Sequence, residues 1–392
     1  MQRRDLIASG IALAALGRGA AEARPADLRL LTSYDAEVIE PFVSAFQARH
    51  PHIAVRHLNK NTNAAVQELS AGNSRGFDLF WASSPEAFEV LKALGRLRDV
   101  GHGLHPDFAY SAVGWAWRSP LGRAVPQDWN DLLDPGHAGR IVMSHPMRSG
   151  TTHSLIETIL QDRGWEAGWT WLLELAGQLY TIAARSFGVL QGLGERHDIG
   201  LTIDFLALQR ASEGVVFRYG RPVIISPARI AALQGGASAD AAAAFIAFLL
   251  SADGQRLLLR PDIRRIPVDP TIRAELAQSL LPEVRAALRF SWSRYDPELA
   301  SRRYDAVNAL FEAFIGRDFL RRRDLWRRLR AQADSAAPEQ AMVRGLLTHM
   351  PVTEAAVRQT VQDRATLLSW QAQSRQLLEA AEARLALLES RR

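Results

Sequence analysis

Apolar residues along the first 290 positions switch repeatedly between strand-length runs and helical spacing, and that order sets the architecture. Leu28–Thr32 (LRLLT) is a short apolar strand. Ala36–Arg49 (AEVIEPFVSAFQAR) then places Val38, Phe42, Val43 and Phe46 on one face at helical spacing. Pro51 stops that helix, Ile53–Leu58 reads as a second strand, and Asn63–Ala71 as a helix. Phe77–Ala82 (FDLFWA) is a third strand, followed by a helix over Pro85–Leu94 that ends at Gly95. Strand and helix in strict alternation predict an α/β fold with a parallel sheet covered by helices on both faces.

Trp115-Ala-Trp117 marks a crossing into a second region. There Asp128–Leu133 reads as a short helix and Ile141–Ser144 (IVMS) as a strand. One long helix is expected over Glu157–Ala176, with Trp165, Trp169 and Trp171 in its core. Ile199–Ile203 (IGLTI) is a further strand with a helix at Phe205–Arg210. Val215–Phe217 and Val223–Ser226 lead back to the first region, and Ala241–Leu250 is a buried helix. The expected division is therefore residues 24–115 with 225–290 as one lobe and 116–224 as the other. From 291 the strand runs cease. Residues 291–392 read as an all-helical extension, whose last part carries a stripe of Leu367, Leu368, Leu377, Leu378, Leu385 and Leu388.

Composition changes the picture at two points. The chain has 392 residues and no cysteine, which excludes disulfides and thiolate metal sites. Its net charge of +5 resides largely in the extension, where 17 Arg face 13 acidic residues, so residues 24–290 are neutral. No basic surface interleaved with aromatics suggests nucleic acid. Residues 1–23 read as an export signal: Arg3-Arg4, an apolar run Leu6–Leu16, then Ala21-Glu22-Ala23 as a cleavage site. The twin arginine hints at the folded-export route, although Asp5 directly after it fits that motif poorly, so the Sec route stays open. A periplasmic location follows.

Candidate chemistry gathers in the loops after the predicted strands, where open α/β sheets bind ligands. They carry Ser33 and Tyr34, then Asn61 and Thr62, then Ser83 and Ser84, and in the second region Arg148, Ser149, Gly150 and Thr151. Any one of these loops is accounted for by helix capping. Four at the same end of two sheets point to a polar cleft. Amides at helix N-termini, hydroxyls and a guanidinium together favour an anion such as a phosphate or carboxylate. Asp204, after IGLTI, either accepts from a ligand or caps its own helix. Arg264-Arg265 is either a second cationic contact or a solvated turn. No nucleophile elbow, phosphate-binding P-loop or zinc-protease helix is present, so the chain is not expected to be an enzyme or to carry a cofactor. The close pairs His50/His52 and His102/His105 lie at turns and read as solvated rather than metal-bound.

The stretches LLTSYDAEVIEPFVSAFQARHP, LNKNTNAAVQEL, FDLFWASSPEAFEVLKALGRL, PQDWNDLLDPGHAGRIVMSHPMRSGTTH and HDIGLTIDF resemble the type II periplasmic solute-binding proteins of ABC importers. Within these, the similarity is to the branch of phosphoglycerate-regulatory and iron(III)-type binding proteins. The resemblance implies two lobes with parallel-rich mixed sheets, joined by crossing strands, that close on a small solute by hinge motion. It implies ligand contacts at the loops already singled out, a monomer, and a membrane ABC permease as partner. It also implies a signalling role towards a membrane sensor kinase, for which the extension is a docking surface or, alternatively, a structural wrap. Ferric-ion binders of this group use two adjacent tyrosines; here Tyr219 stands alone in FRYGRP.

Overall fold

The computed structural model describes residues 26–276, 284–285, 295–332, 337–359 and 363–390. The expected export signal at 1–23 lies outside them. The first part of the chain runs β1 (Ala26–Thr32), α1 (Ala36–Arg49), β2 (Ile53–Asn59), α2 (Thr62–Ser70), β3 (Leu79–Ala82), α3 (Pro85–Ala93) and the short β4 (Leu97–Arg98). β1 pairs in parallel with β2 and β3, as the intervening helices require. Leu28, Leu30, Phe42, Phe46 and Trp81 close the core between sheet and α1.

The twelve-residue β5 (Asp107–Arg118) is the element on which both halves are built. Asp107–Ala112 pairs with β10 (Ile225–Leu233), in the same sheet as β3. Val113–Arg118 pairs instead with β8 (Ile199–Ile203) and β9 (Val215–Tyr219), in a second sheet that continues through β6 (Ile141–Ser144) to β7 (Leu179–Ala183). The strand order is β2-β1-β3-β10-β5-β8-β6-β7, with β11 (Ile266–Pro267) and β9 also on β5 and β4 on β10. Gly114 stands where β5 changes sheets. A Cβ there would lie 2.0 Å from the Arg218 carbonyl of β9, so only glycine lets these strands approach so closely.

The second lobe differs from the expectation in its helices. Instead of one long helix there are two, α4 (Gly150–Arg163) and α5 (Trp165–Leu175). Gly164 between them adopts φ 81°, a left-handed conformation that breaks the hydrogen-bonding run. The expected helix at 128–133 is a single 3₁₀ turn over Asn130–Leu133. α6 (Asp204–Leu208) follows β8, and α7 (Ala239–Leu250), α8 (Ala252–Leu257) and α9 (Pro270–Glu275) return to the first lobe.

The regular elements of the extension among its described residues are all helices: α10 (Pro297–Arg302), α11 (Tyr304–Phe311) running into a π turn at Glu312–Gly316, α12 (Phe319–Arg330), α13 (Ala337–Thr348), α14 (Glu354–Gln359) and α15 (Arg364–Glu389). α10 packs on α3 of the first lobe, whereas α13 packs on α5 of the second. Arg303 is almost fully buried and binds Glu157 of α4 at 2.7 Å and Glu354 of α14 at 2.7 Å. Trp165 donates its indole N–H to the Val352 carbonyl at 2.7 Å. The leucine stripe is largely core. Leu378, Leu385 and Leu388 are buried with Leu325, Trp326, Val343 and Leu347, and Leu367 and Leu377 are half-buried, whereas Leu368 is exposed. The arginine clusters pair internally, Arg321 with Glu382 and Arg328 with Glu389.

Candidate functional site

The carboxyl ends of β1, β2 and β3 face the start of α4 across a narrow seam. Its walls are Ser33, Tyr34, Asp35 and Val38 from the first strand-helix unit, Asn61 and Thr62 from the second, and Ser83 from the third. Arg148, Ser149, Gly150 and Thr151 stand opposite, with Arg185, Ser186, Phe187, Phe205 and Leu206 beside them. The cavity among them is about 40 Å³, room for a few waters. A solute the size of a phosphate ester therefore needs the walls to part.

Local chemistry explains why these residues arrive together. Asn61 caps α2, its side chain accepting from Ala64 N at 2.9 Å, and Ser149 caps α4, accepting from Thr152 N at 3.2 Å. Both side chains are thus committed to their own helices. The amides of Gly150 and Thr151 precede the first intrahelical bond, from His153 N to Ser149 O, and stay open to an acceptor. The Thr62 and Thr151 hydroxyls are buried at the seam and make no hydrogen bond among the described residues. Gly150 brings the two walls into contact: a Cβ there would lie 2.8 Å from Ser84 Cβ and 2.9 Å from Thr62 Oγ1.

Tyr34 lies at the base of the seam, edge-on to Trp81, Phe108 and Phe205. Ser83 donates to its hydroxyl at 2.7 Å, and burial pushes its phenol above the usual range. Asp35 is held above the ordinary carboxylate value by burial, opposed by nearby Arg185. Arg185 reaches across the seam to donate to Asn59 Oδ1 at 2.8 Å.

Two expected contacts are placed elsewhere. Ser84 is fully buried and donates to Glu86 Oε1 at 2.5 Å, so its hydroxyl belongs to a structural node rather than to the cavity wall. Asp204 accepts from Phe205 N at 2.7 Å and from Ala112 N of β5 at 3.0 Å, and the Tyr219 hydroxyl lies 3.4 Å from it. It binds its own helix and the shared strand, and it is absent from the cavity wall. Burial raises its carboxyl to about 6. The pair Arg264-Arg265 divides, Arg264 exposed and Arg265 buried beneath Tyr34. Sequence reasoning missed Arg185, Phe187, Phe205 and Leu206. Among the described residues no three His, Asp or Glu side chains gather as a metal site would need.

The sequence profile of the family described as "Bacterial extracellular solute-binding protein" matches residues 28–260. The chain is 30% identical over 365 residues to the phosphoglycerate transport regulatory protein PgtC of Salmonella typhimurium, covering 86% of this chain and 89% of that protein. Among solved structures it is similar to the periplasmic binding protein AfuA of Actinobacillus pleuropneumoniae with fructose-6-phosphate bound, with a TM-score of 0.65 at 16% identity, covering 73% of this chain and 98% of that one. It is also similar to the ferric binding protein of Campylobacter jejuni, with a TM-score of 0.55 at 15% identity, covering 69% of this chain and 98% of that one.

Proposed function

The chain belongs to the bacterial extracellular solute-binding proteins, which deliver small solutes to ABC permeases, and on that premise we propose that its solute is a small anionic metabolite, phosphorylated or carboxylated and phosphoglycerate-like. One observation carries this reading: the open amides of Gly150 and Thr151 converge with the unpaired hydroxyls of Thr62 and Thr151, and with Arg148 and Arg185, on one seam between two lobes. Amides at a helix start bind an anion without a buried counter-charge, and guanidinium groups add charge-assisted bonds. The name of PgtC and the fructose-6-phosphate bound to AfuA are consistent with a phosphorylated solute. A ferric-ion reading lacks a ligand set among the described residues, and Tyr219 lies beside Asp204 rather than on the cavity wall. A periplasmic hydrolase reading finds no histidine among the residues lining the cavity to activate a hydroxyl nucleophile.

Titration calorimetry of the signal-less protein with 3-phosphoglycerate, phosphoenolpyruvate, glycerol 3-phosphate and inorganic phosphate tests this. At least one should bind, with a rise in Tm corresponding to about 2.7 kcal/mol at a hundredfold excess over Kd. Silence from all of them removes the anion assignment.

A second reading, that the protein also signals to a membrane sensor kinase, draws on the regulatory name of PgtC and on an alignment long enough to enter the extension. Charged substitutions at exposed Leu320 and Leu368 should then abolish induction of the transport genes at unchanged affinity. Normal induction would exclude that face.

A further inference from the structure

Arg265 is 2% exposed, although it immediately follows the exposed Arg264. It enters β11, which pairs with β5, so its side chain is carried under the seam rather than into solvent. Its guanidinium carbon lies 4.2 Å from the centre of the Phe205 ring, 5.0 Å from Tyr34 and 5.3 Å from Phe108. Two of those rings, Tyr34 and Phe205, are cavity walls contributed by opposite lobes. Nη2 donates to Ser83 Oγ at 3.2 Å, another wall group, and to Ser111 Oγ at 3.3 Å.

Among the described residues the remaining two nitrogens, Nε and Nη1, have no hydrogen-bond partner, and no carboxylate forms an ion pair with this side chain. Asp204 commits its oxygens to Ala112 N and Phe205 N, and it acts on Arg265 through space rather than by direct contact. A guanidinium cannot shed its charge to escape burial, and buried charges are as a rule paired. Ring faces offset only part of that cost. Elsewhere in this chain Arg303, equally buried, holds Glu157 and Glu354, whereas Arg322 in the extension, 1% exposed, donates only to the Leu347 carbonyl.

Counting the charged side chains around and beneath the cavity, Arg148, Arg185 and Arg265 face Asp35 and Asp204. The surplus is one positive charge, and Arg265 adds two open N–H donors to it. We infer that Arg265 is the anion-selecting residue of the cleft, and that it makes the site favour an oxyanion rich in acceptor oxygens, such as a phosphate monoester, over a monocarboxylate. This rests on the anion-binding reading above and adds to it the residue and the donors.

The test compares wild type with Arg265→Met, Arg265→Lys and, as control, Arg264→Gln, using 3-phosphoglycerate, glycerol 3-phosphate, inorganic phosphate and glycerate. Wild type should bind a phosphate ester at least tenfold more tightly than glycerate. Arg265→Met should weaken the ester at least thirtyfold, with a ligand-free Tm no lower than wild type, because an unpaired buried charge has been removed. Arg265→Lys should recover part of the loss, and Arg264→Gln should bind like wild type. If Arg265→Met does not fold, the arginine Nε–H resonances of wild type, assigned with Arg265→Lys, give the answer: a buried one must shift when glycerol 3-phosphate or phosphate is added. Wild-type affinity in folded Arg265→Met, or an unmoved resonance under saturating ester, overturns the assignment while leaving anion binding intact. If wild type binds none of the four, the anion reading and this assignment fall together.

Discussion

Replacing Gly150 by alanine tests whether the two walls meet across the seam. Gly150 is the first residue of α4, in ordinary helical geometry, where alanine is the better helix former. The obstacle lies across the seam. The new methyl would stand 2.8 Å from Ser84 Cβ and 2.9 Å from Thr62 Oγ1, where ordinary contact begins near 3.4 Å. One wall must retreat by about 0.6 Å, and Ser84 and Thr62 are both buried, with little space to give. Overpacking of this kind costs about 1–3 kcal/mol. Because Gly150 belongs to one lobe and Ser84 and Thr62 to the other, the strain falls on the contact between the walls and is relieved when they part. It should therefore appear as a loss of ligand-free stability of about 1–3 kcal/mol, or as a ligand-free cleft held further open, without a loss of affinity. Thermal unfolding of the ligand-free protein supplies stability, small-angle scattering supplies its compactness, and calorimetry supplies Kd. An unchanged ligand-free Tm together with unchanged compactness would refute the claim that these groups meet across the seam.

Three further outcomes are expected. Arg303→Ala leaves Glu157 charged and buried, so the unfolding free energy should fall by about 3–5 kcal/mol, read from urea midpoints; a loss below about 1 kcal/mol would show the pair is not desolvated. Tyr295→Phe removes the 2.8 Å donor to Glu86 Oε2 in a fully buried site and should lower stability by about 1–3 kcal/mol at unchanged secondary structure; an unchanged midpoint would count against that contact. Burial lifts the Asp204 carboxyl from an ordinary 3.8 to about 6. Between those values the folded chain keeps a proton that the unfolded chain releases, so stability contributed by this group falls as pH rises from about 4 to about 6 and is level above. The fall amounts to about 3 kcal/mol, and Asp204→Asn should lack it; parallel urea midpoints against pH for the two proteins would contradict this.

Where sequence and structure agree, the physical signal was strong. β6 and β8 lie in the interior of the second sheet, and their unbroken apolar runs IVMS and IGLTI mark them with the ends observed. α1 is bounded by Asp35 and by a break before Pro51, and both ends are visible in the chain. β7 sits at the sheet edge with Tyr180 and Thr181 exposed, so LYTIA offers no apolar run, and the loss of β7 hides Arg185 and Phe187 beyond it. β5 was legible only at its tryptophans because its other buried positions are mostly Ala, Ser and Gly, which have weak strand preference. Arg265 carries no local signal at all. Its burial follows from β11 pairing with β5, a contact between residues more than a hundred positions apart. The position of Ser84 after a strand suits a cleft donor, but its side chain turns to Glu86; of the two roles open to Asp204, it takes the one at its own helix start and also holds the shared strand.

Glu86 ties three bodies with one carboxylate. It accepts from Ser84 on its own lobe, from Ser154 on the facing lobe at 3.1 Å, and from Tyr295 at the root of the extension. Parting the lobes must break at least one arm of that knot, so the seat of the extension and the state of the cleft form a single equilibrium. Thermodynamic reciprocity then fixes the size of the coupling. Whatever grips the extension in this position changes solute affinity by the same factor by which the solute changes that grip.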